Sequence, residues 1–344
     1  KLGLLAVMPV EWPGISVIIP YSEAARTIRE SALSVVKSGY PNFELILVDD
    51  QSTDGSYEQV ADLPAVHVVL LQRSGAAFAR NVGVSASSNS ILLFLDADVV
   101  LPSGILERIA RHFGENPELA GVFGEYTSYT THQNFASVYK NLIHHYTHEK
   151  SRKNALSFWS GCGAVRRSIF EEVGGFDTSY TAASVEDIAF GYEITSRGHK
   201  ILLDKEIQVM HAKRYSLGSL IRSDVVDRAI PWTKLLVRKN MFHNDLNLRW
   251  PNIASAVVLI LFFPMAIFAY FILPKEIGFY LIISVIALYL IINFPLYFFA
   301  VRKIKFYILP GFILMHLFTY LYSVIGFVIG FLGALLDGKK DPQK

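Results

Sequence analysis

LILVDDQSTDGS, residues 45–56, is the stretch on which the fold turns. Its four apolar residues, Leu45 to Val48, are too few for a helix and suit a short strand buried on both faces. They lead directly into Asp49 and Asp50 and then into a polar turn marked by Asp54-Gly55. In open α/β sheets, ligands collect beyond the C-terminal ends of such strands. The pattern repeats outward from this point. Ser16 to Ile19 is a strand-like run stopped by Pro20, and Arg26 to Lys37 carries the helical stripe Ile28, Ala32, Val35 and Val36. Val66 to Leu70 predicts a third strand, Gly75 to Ala86 a helix, and Ile91 to Leu95 a fourth strand ending in Asp96. Short apolar strands alternating with helices imply an α/β fold with a mostly parallel sheet and flanking helices. Pro20, Asp49, Asp50, Asp96 and Asp98 all fall at the strand ends.

The fourth strand closes as FLDADVV, residues 94–100. Side chains alternate along an extended chain, so Asp96 and Asp98 point the same way. Two such carboxylates repel unless a cation or a donor joins them. A hard divalent ion bridging to a diphosphate satisfies both. In the acidic turn 48–56, one carboxylate suits the N–H of a base edge and another suits its own backbone. No G-x-G-x-x-G follows the first strand and no G-x-x-x-x-G-K-[ST] occurs, which argues against a common dinucleotide fold and a P-loop ATPase. Lys and Arg number 32 against 30 for Asp and Glu, and a net charge of +2 gives no reason to expect nucleic acid as a partner. The single cysteine, Cys162, excludes an intrachain disulfide and reads as a small packed side chain.

Charge nearly vanishes after Trp250. Ile253 to Leu273 is 21 uncharged residues and Ile277 to Val301 is 25. Phe306 to Leu336 has His316 as its only ionisable group. A helix of about 20 residues crosses the roughly 30 Å apolar core of a bilayer. An all-α transmembrane region of about three helices is therefore expected over 251–337, the last long enough to tilt, kink or re-enter. Gly326, Gly330 and Gly333 suit close helix contact. Arg302, Lys303 and Lys305 are expected on the cytoplasmic side. Two crossings separate them from residue 250, so the N-terminal domain is expected to face the cytoplasm as well. From Leu217 to Val237, apolar residues recur at helical spacing between charged ones, as in helices that lie in the headgroup layer, and Pro231 is expected to kink or divide this segment. The expected organisation is a lead-in at 1–14, an α/β domain at 15–215, interfacial helices at 216–250, the membrane region, and a polar tail at 338–344.

SVIIPYSE (16–23), LILVDDQSTDGS (45–56), ARNVG (79–83), FLDADVV (94–100), FWSGCGAVRR (158–167), GGFD (174–177) and VEDIAFGYEITSRG (185–198) stand in the order found in the family 2 glycosyltransferases of GT-A fold, and the chain resembles that family over most of 15–215. The resemblance implies a nucleotide-diphosphate-sugar donor, expected to be UDP-linked, a divalent cation such as Mn²⁺ or Mg²⁺, and inversion at the anomeric carbon. Asp50 resembles the base-binding aspartate, with Pro20 and Glu23 lining that pocket. Asp96 and Asp98 resemble the pair beside the donor sugar and metal, Asp98 being the direct ligand. Asp187 resembles the catalytic base, with Glu186 in support. Arg228 and Trp232 look like a relative of an Arg/Trp element of membrane-bound members, but RAIPW, residues 228–232, departs from that pattern.

Further candidates follow from chemistry and position. Glu186 and Asp187 also suit the N-terminus of a helix. His211 ends a strand-like run and suits a metal or the diphosphate, and Lys213 suits a phosphate. Arg80 is placed to contact the donor or brace Asp96. Trp159, Gly161 and Gly163 suit an acceptor surface. Arg222, Arg228 and Trp232 suit an anionic lipid headgroup. His144, His145 and His148 read as one polar helix face. With membrane helices only at the C-terminal end, a single transfer to a lipid-linked acceptor, a polyprenyl phosphate or a glycolipid, is expected ahead of polysaccharide synthesis. A membrane-anchored nucleotidyltransferase is the rival from another class.

Overall fold

The computed structural model describes residues 12–181, 184–239 and 249–338. Most of the lead-in and of the tail therefore lie outside the described residues. The chain divides into two compact units. The first comprises Lys1–Gly124, Asn154–Thr181 and Glu186–Met210, and the second Glu125–Lys153, Ala182–Val185 and His211–Lys344.

The first unit is built on a nine-stranded sheet. Its strands are β1 (Ile15–Tyr21), β2 (Phe43–Asp49), β3 (Val66–Val69), β4 (Ile91–Leu95), β5 (Val99–Val100), β6 (Leu119–Thr130), β7 (Asn154–Ala155), β8 (Cys162–Arg166) and β9 (Lys200–His211). The order is β3-β2-β1-β4-β8-β6-β9-β5, with β7 paired to β9. β3, β2, β1 and β4 are mutually parallel, as the sequence predicts. Beyond β4 the direction changes, because β8 runs antiparallel to both β4 and β6. The sheet is thus mixed. Helices α1 (Ile28–Val36), α2 (Ala76–Ser85), α3 (Ile105–Glu115), α5 (Arg167–Val173) and α6 (Glu186–Ser196) belong to this unit, and α4 (Phe135–Lys150) to the second. Ile18, Ile46, Val48 and Phe94 are fully buried and form the core with Phe158, Phe176 and Phe190. The Phe94 ring meets Phe176 edge-on with centroids 4.9 Å apart. Chain order turns from leftward to rightward between β1 and β4, so the switch point of the sheet opens above the ends of those strands.

The second unit is helical apart from strand ends. The segment from 217 to 239 runs as α7 (Leu217–Asp224), a π-helical stretch Val225–Ala229, and α8 (Ile230–Lys239). Pro231 does not divide it. Proline lacks an N–H and its ring collides with the carbonyl four residues back, here Asp227, and the wider π turn over that residue absorbs the misfit. The same device recurs in the first apolar helix, α9 (Trp250–Val257) to α10 (Phe263–Ile272), where the π stretch Val258–Phe262 precedes Pro264. α11 (Lys275–Val301) and α12 (Leu309–Gly338) follow, and α12 continues unbroken after a short 3₁₀ turn at Phe306–Ile308. Three helical stretches, Trp250–Ile272, Lys275–Val301 and Phe306–Leu336, are long and apolar enough to cross a membrane. α12 presents its glycines to α8 and the π-helical stretch before it. A Cβ at Gly326 would stand 2.7 Å from the Ala229 methyl, and one at Gly330 would stand 2.6 Å from the Ile230 carbonyl oxygen. Only glycine admits this approach of helix to helix.

Candidate active site

The register of β1 and β2 brings Tyr21 level with Asp49, and the Asp50 amide donates to the Tyr21 carbonyl at 2.8 Å. The two following loops are then stitched together. The amides of Glu23, Ala24 and Ala25 donate to Ser52 Oγ (3.2 Å), Ser56 Oγ (2.8 Å) and Asp54 Oδ2 (3.0 Å). Glu23 in return accepts from the Thr53 amide and hydroxyl at 3.0 and 3.1 Å. This closure holds Glu23 and Gln51 at φ of 51° and 56°, a left-handed conformation that costs about 1 kcal/mol or more in such residues and clusters at functional sites. Pro20 lies buried in β1.

Asp50 is 5% exposed, and its two carboxylate oxygens accept from the amides of Ser74 (2.7 Å) and Gly75 (2.9 Å) at the start of α2. A helix N-terminus favours this negative charge. Gly75 has φ +90°, and a side chain there would meet the Thr181 carbonyl at 2.5 Å. Each Asp50 oxygen keeps a further lone pair with which to accept.

One turn along α2, Arg80 is 4% exposed and joins two acids. Its Nη1 donates to Glu186 at 2.8 Å and its Nη2 to Asp96 at 3.0 Å, with the guanidinium over the Phe176 ring. It braces the carboxylates, the second of the two roles expected of it. Glu186 is 3% exposed. The charges of Asp96, Glu186 and Asp187 all act on Arg80, and that of Asp98 on Asp96. Loss of solvent pushes the Asp96 carboxyl above its ordinary range. Arg80 opposes the shift and Asp98 adds to it.

Asp187, at the start of α6, receives the Ser160 amide on Oδ2 at 3.2 Å and its own neighbour's amide, Ile188, on Oδ1 at 2.8 Å. Gly191 lets α6 press onto the 157–158 backbone, where a Cβ would lie 2.1 Å from the Phe158 nitrogen. The space above Gly161 and Gly163 is filled by the protein itself. A Cβ at Gly161 would strike the Trp159 indole at 2.3 Å, and one at Gly163 the Trp159 carbonyl at 2.3 Å. Cys162 is buried, and burial together with Asp96 pushes its thiol up to about 12, which keeps it inert at neutral pH.

The remaining sequence candidates lie in the second unit. His211 is buried and stacks on Tyr126 with centroids 4.2 Å apart. Lys213 lies over the Tyr215 ring. Arg222 is exposed on α7, and Trp232 is 7% exposed on α8. Arg228 donates to His144 Nε2 at 2.9 Å. Burial, then the charges of Lys140 and Arg228, hold His144 well below its usual value, so its ring is the neutral acceptor that this bond requires. His144 and His145 face inward, His145 meeting the Tyr126 carbonyl at 2.9 Å, so the expected polar face is a packed one. The sequence pointed neither to Ser160 nor to the Ser74 and Gly75 amides, since backbone donors leave no residue signature.

The carboxylates suit a hard divalent cation in chemistry and in charge. Among the described residues no three His, Cys, Asp or Glu gather closely enough to hold a metal ion by themselves. A cation at Asp98 and Asp96 would complete its shell from bound diphosphate and water.

Residues 16–174 match the model of "Glycosyl transferase family 2". Over this part, a little under half of the chain, the protein is similar to the family 2 glycosyltransferases. The O-antigen biosynthesis protein RfbC of Myxococcus xanthus is 25% identical over 64% of this chain and 18% of its own length. WfgD of Escherichia coli, a UDP-Glc:alpha-D-GlcNAc-diphosphoundecaprenol beta-1,3-glucosyltransferase, is 35% identical over 27% of this chain and 38% of its own. The chain therefore spans well under half of either relative. Mannosyltransferase PcManGT from Pyrobaculum calidifontis, solved with GDP-Man and Mn²⁺, shares the fold with TM-score 0.59 and 17% identity, over 94% of this chain and 88% of that one.

Proposed function

We propose that this protein is a glycosyltransferase that moves a sugar, with inversion, from a UDP-linked donor to a lipid-linked acceptor such as a polyprenyl phosphate or glycolipid, its catalytic unit facing the cytoplasm. The observation that carries this reading is the gathering of carboxylates around Arg80, five residues along α2 from the amides that cradle Asp50. One helix thereby ties a base pocket to a charged reaction centre. Asp50 accepts from the base, with Pro20 and Glu23 beside it. A divalent cation, Mn²⁺ or Mg²⁺, held by Asp98 and Asp96 would supply positive charge to the leaving diphosphate. Arg80 and Glu186 keep Asp96 in place for that task. Asp187, oriented by the Ser160 amide, takes the acceptor proton as the oxygen attacks the anomeric carbon. With a phosphate acceptor, already ionised, it serves mainly to orient and to stabilise positive character on the sugar.

The lipid acceptor is supported by three apolar helices in the same chain and by the diphosphoundecaprenol substrate in the name of WfgD. Arg228 suits the acceptor's phosphate, because its bond to neutral His144 holds the guanidinium without neutralising it. Arg222, Trp232, His211 and Lys213 belong to the same unit and are secondary candidates for phosphate and lipid contact. The inward orientation rests on Arg302, Lys303 and Lys305.

Asp98→Asn is expected to weaken Mn²⁺-dependent donor binding in calorimetry by more than the roughly tenfold that follows loss of a supporting group. Unchanged affinity removes the metal role. The function itself is tested by mass spectrometry of products formed from pooled sugar nucleotides in vesicles carrying polyprenyl phosphate. A glycosylated lipid and a free nucleoside diphosphate are expected. Pyrophosphate release would mark a nucleotidyltransferase instead.

A further inference from the structure

The apolar helices of the second unit contain polar side chains that are bonded to one another in sequence. Asn293 of α11 donates to Ser255 Oγ of α9 at 2.8 Å, and its Oδ1 accepts from Tyr320 of α12 at 3.1 Å and lies 3.2 Å from His316 Nε2. His316 Nδ1 is 3.2 Å from the hydroxyl of Tyr139 on α4, which is 2.7 Å from Thr319 Oγ1. Thr319 lies 3.0 Å from the Tyr322 hydroxyl, and Tyr322 donates to Asp224 Oδ2 at 2.7 Å. The other Asp224 oxygen accepts from Lys140. Thr319 donates its one hydroxyl hydrogen to the Met315 carbonyl and Tyr322 gives its own to Asp224, so these two side chains touch without sharing a proton, and the bonds that reach the buried ion pair at the end of α7 begin at Tyr322.

That ion pair is one of two rungs. Lys140 and His144 are four residues apart on α4, and Asp224 and Arg228 are four apart across the α7–π junction. Side chains so spaced share a face. Lys140–Asp224 and His144–Arg228 therefore join the two helices side by side, and the first rung fixes the height at which Arg228 emerges. Polar groups in hydrocarbon cost several kcal/mol unless bonded, and an ionisable residue there is rare. Apolar packing would hold the three helices together as well, whereas a hydrogen-bonded chain admits one register.

We infer that the contact of Tyr322 with the Lys140–Asp224 pair is a positioning device, in which Tyr322 acts through Asp224 to set where Arg228 holds the phosphate of a lipid acceptor. The inference rests on the acceptor reading above and names residues that reading does not use. The test takes the full chain in phosphatidylcholine vesicles with polyprenyl phosphate at varied mole fraction. Tyr322→Phe keeps the ring and removes only the hydroxyl. The apparent KM for polyprenyl phosphate is expected to rise about tenfold, the worth of one hydrogen bond to a charged group, with kcat at saturation within about twofold. Donor hydrolysis by water, whose carboxylates all lie in the first unit, stays unchanged. Amide exchange over residues 224–229 quickens. Asp224→Asn gives a larger rise in KM, because it also strands the buried Lys140 ammonium, and adding Tyr322→Phe to it changes little, because the hydroxyl has already lost its charged acceptor. Unchanged KM and unchanged exchange in Tyr322→Phe overturn the inference. So does a parallel fall in transfer, hydrolysis and thermal midpoint, which marks general packing. If the wild-type protein hydrolyses donor but glycosylates no polyprenyl phosphate, the acceptor reading fails separately. The exchange measurement then decides the device: quickening supports it and wild-type exchange overturns it.

Discussion

Asp187→Asn is expected to lower sugar transfer by about 10²–10⁴-fold, the range for loss of a positioned acid–base group, while donor affinity stays within about twofold. The substitution preserves volume and removes the ability to take a proton. It also has a local cost that the geometry specifies. Asp187 accepts an amide on each oxygen, from Ser160 and from Ile188. An asparagine has one oxygen and one NH₂, so either orientation turns a donor toward a donor. One such mismatch costs about 1–3 kcal/mol of local order. Activity loss with intact donor binding therefore reports the chemistry, and calorimetry with the donor beside a nucleoside-diphosphate release assay separates the two. Wild-type turnover in the variant removes Asp187 from the mechanism. A loss near the lower end of the range is the signature of a phosphate acceptor, which has little proton to give up.

Arg80→Met is expected to lower stability by about 3–5 kcal/mol, the usual cost of removing one partner from a buried ion pair. Methionine fills much of the space over Phe176, so the loss is electrostatic more than steric. Glu186, 3% exposed, loses the bond from Arg80, and Asp96 then faces Asp98 without that brace. Thermal unfolding of the purified protein, followed by tryptophan fluorescence, checks the direction and size. The second substitution Glu186→Leu on the Arg80→Met background is expected to restore part of the stability, since it removes the buried charge. It should not restore metal-dependent donor binding, because Asp96 remains unbraced. A wild-type midpoint in Arg80→Met would mean that the guanidinium does not compensate these acids.

The sequence placed the carboxylates well because the relevant signals are local. An apolar run of four or five residues that ends in Asp is a buried strand with its acid at the ligand end, and Asp50 and Asp96 needed no more than that. The parallel order of β2, β1 and β4 follows equally from strands separated by helices, whereas β3 joins β2 in parallel after a connection of turns. The three apolar helices were legible for a similar reason, since hydropathy over about 20 residues measures a length the bilayer itself fixes. Division of the helix at Pro231, one of the two outcomes expected, does not occur, because the π turn before the proline accommodates it.

What only the tertiary structure decided are pairings between residues far apart in the chain. Arg80 and Glu186 are separated by 106 positions and Tyr139 and Thr319 by 180, and no periodicity spans such gaps. By itself the sequence determined an α/β site with acids at its strand ends and a membrane region after it. The fold alone decided that one arginine holds two of those acids, that a backbone amide aims Asp187, and that isolated polar residues in apolar helices meet one another. The physical reason is that local pattern reports which face of an element is buried, whereas a partner for a buried charge is chosen by whatever the closed fold brings within about 3 Å.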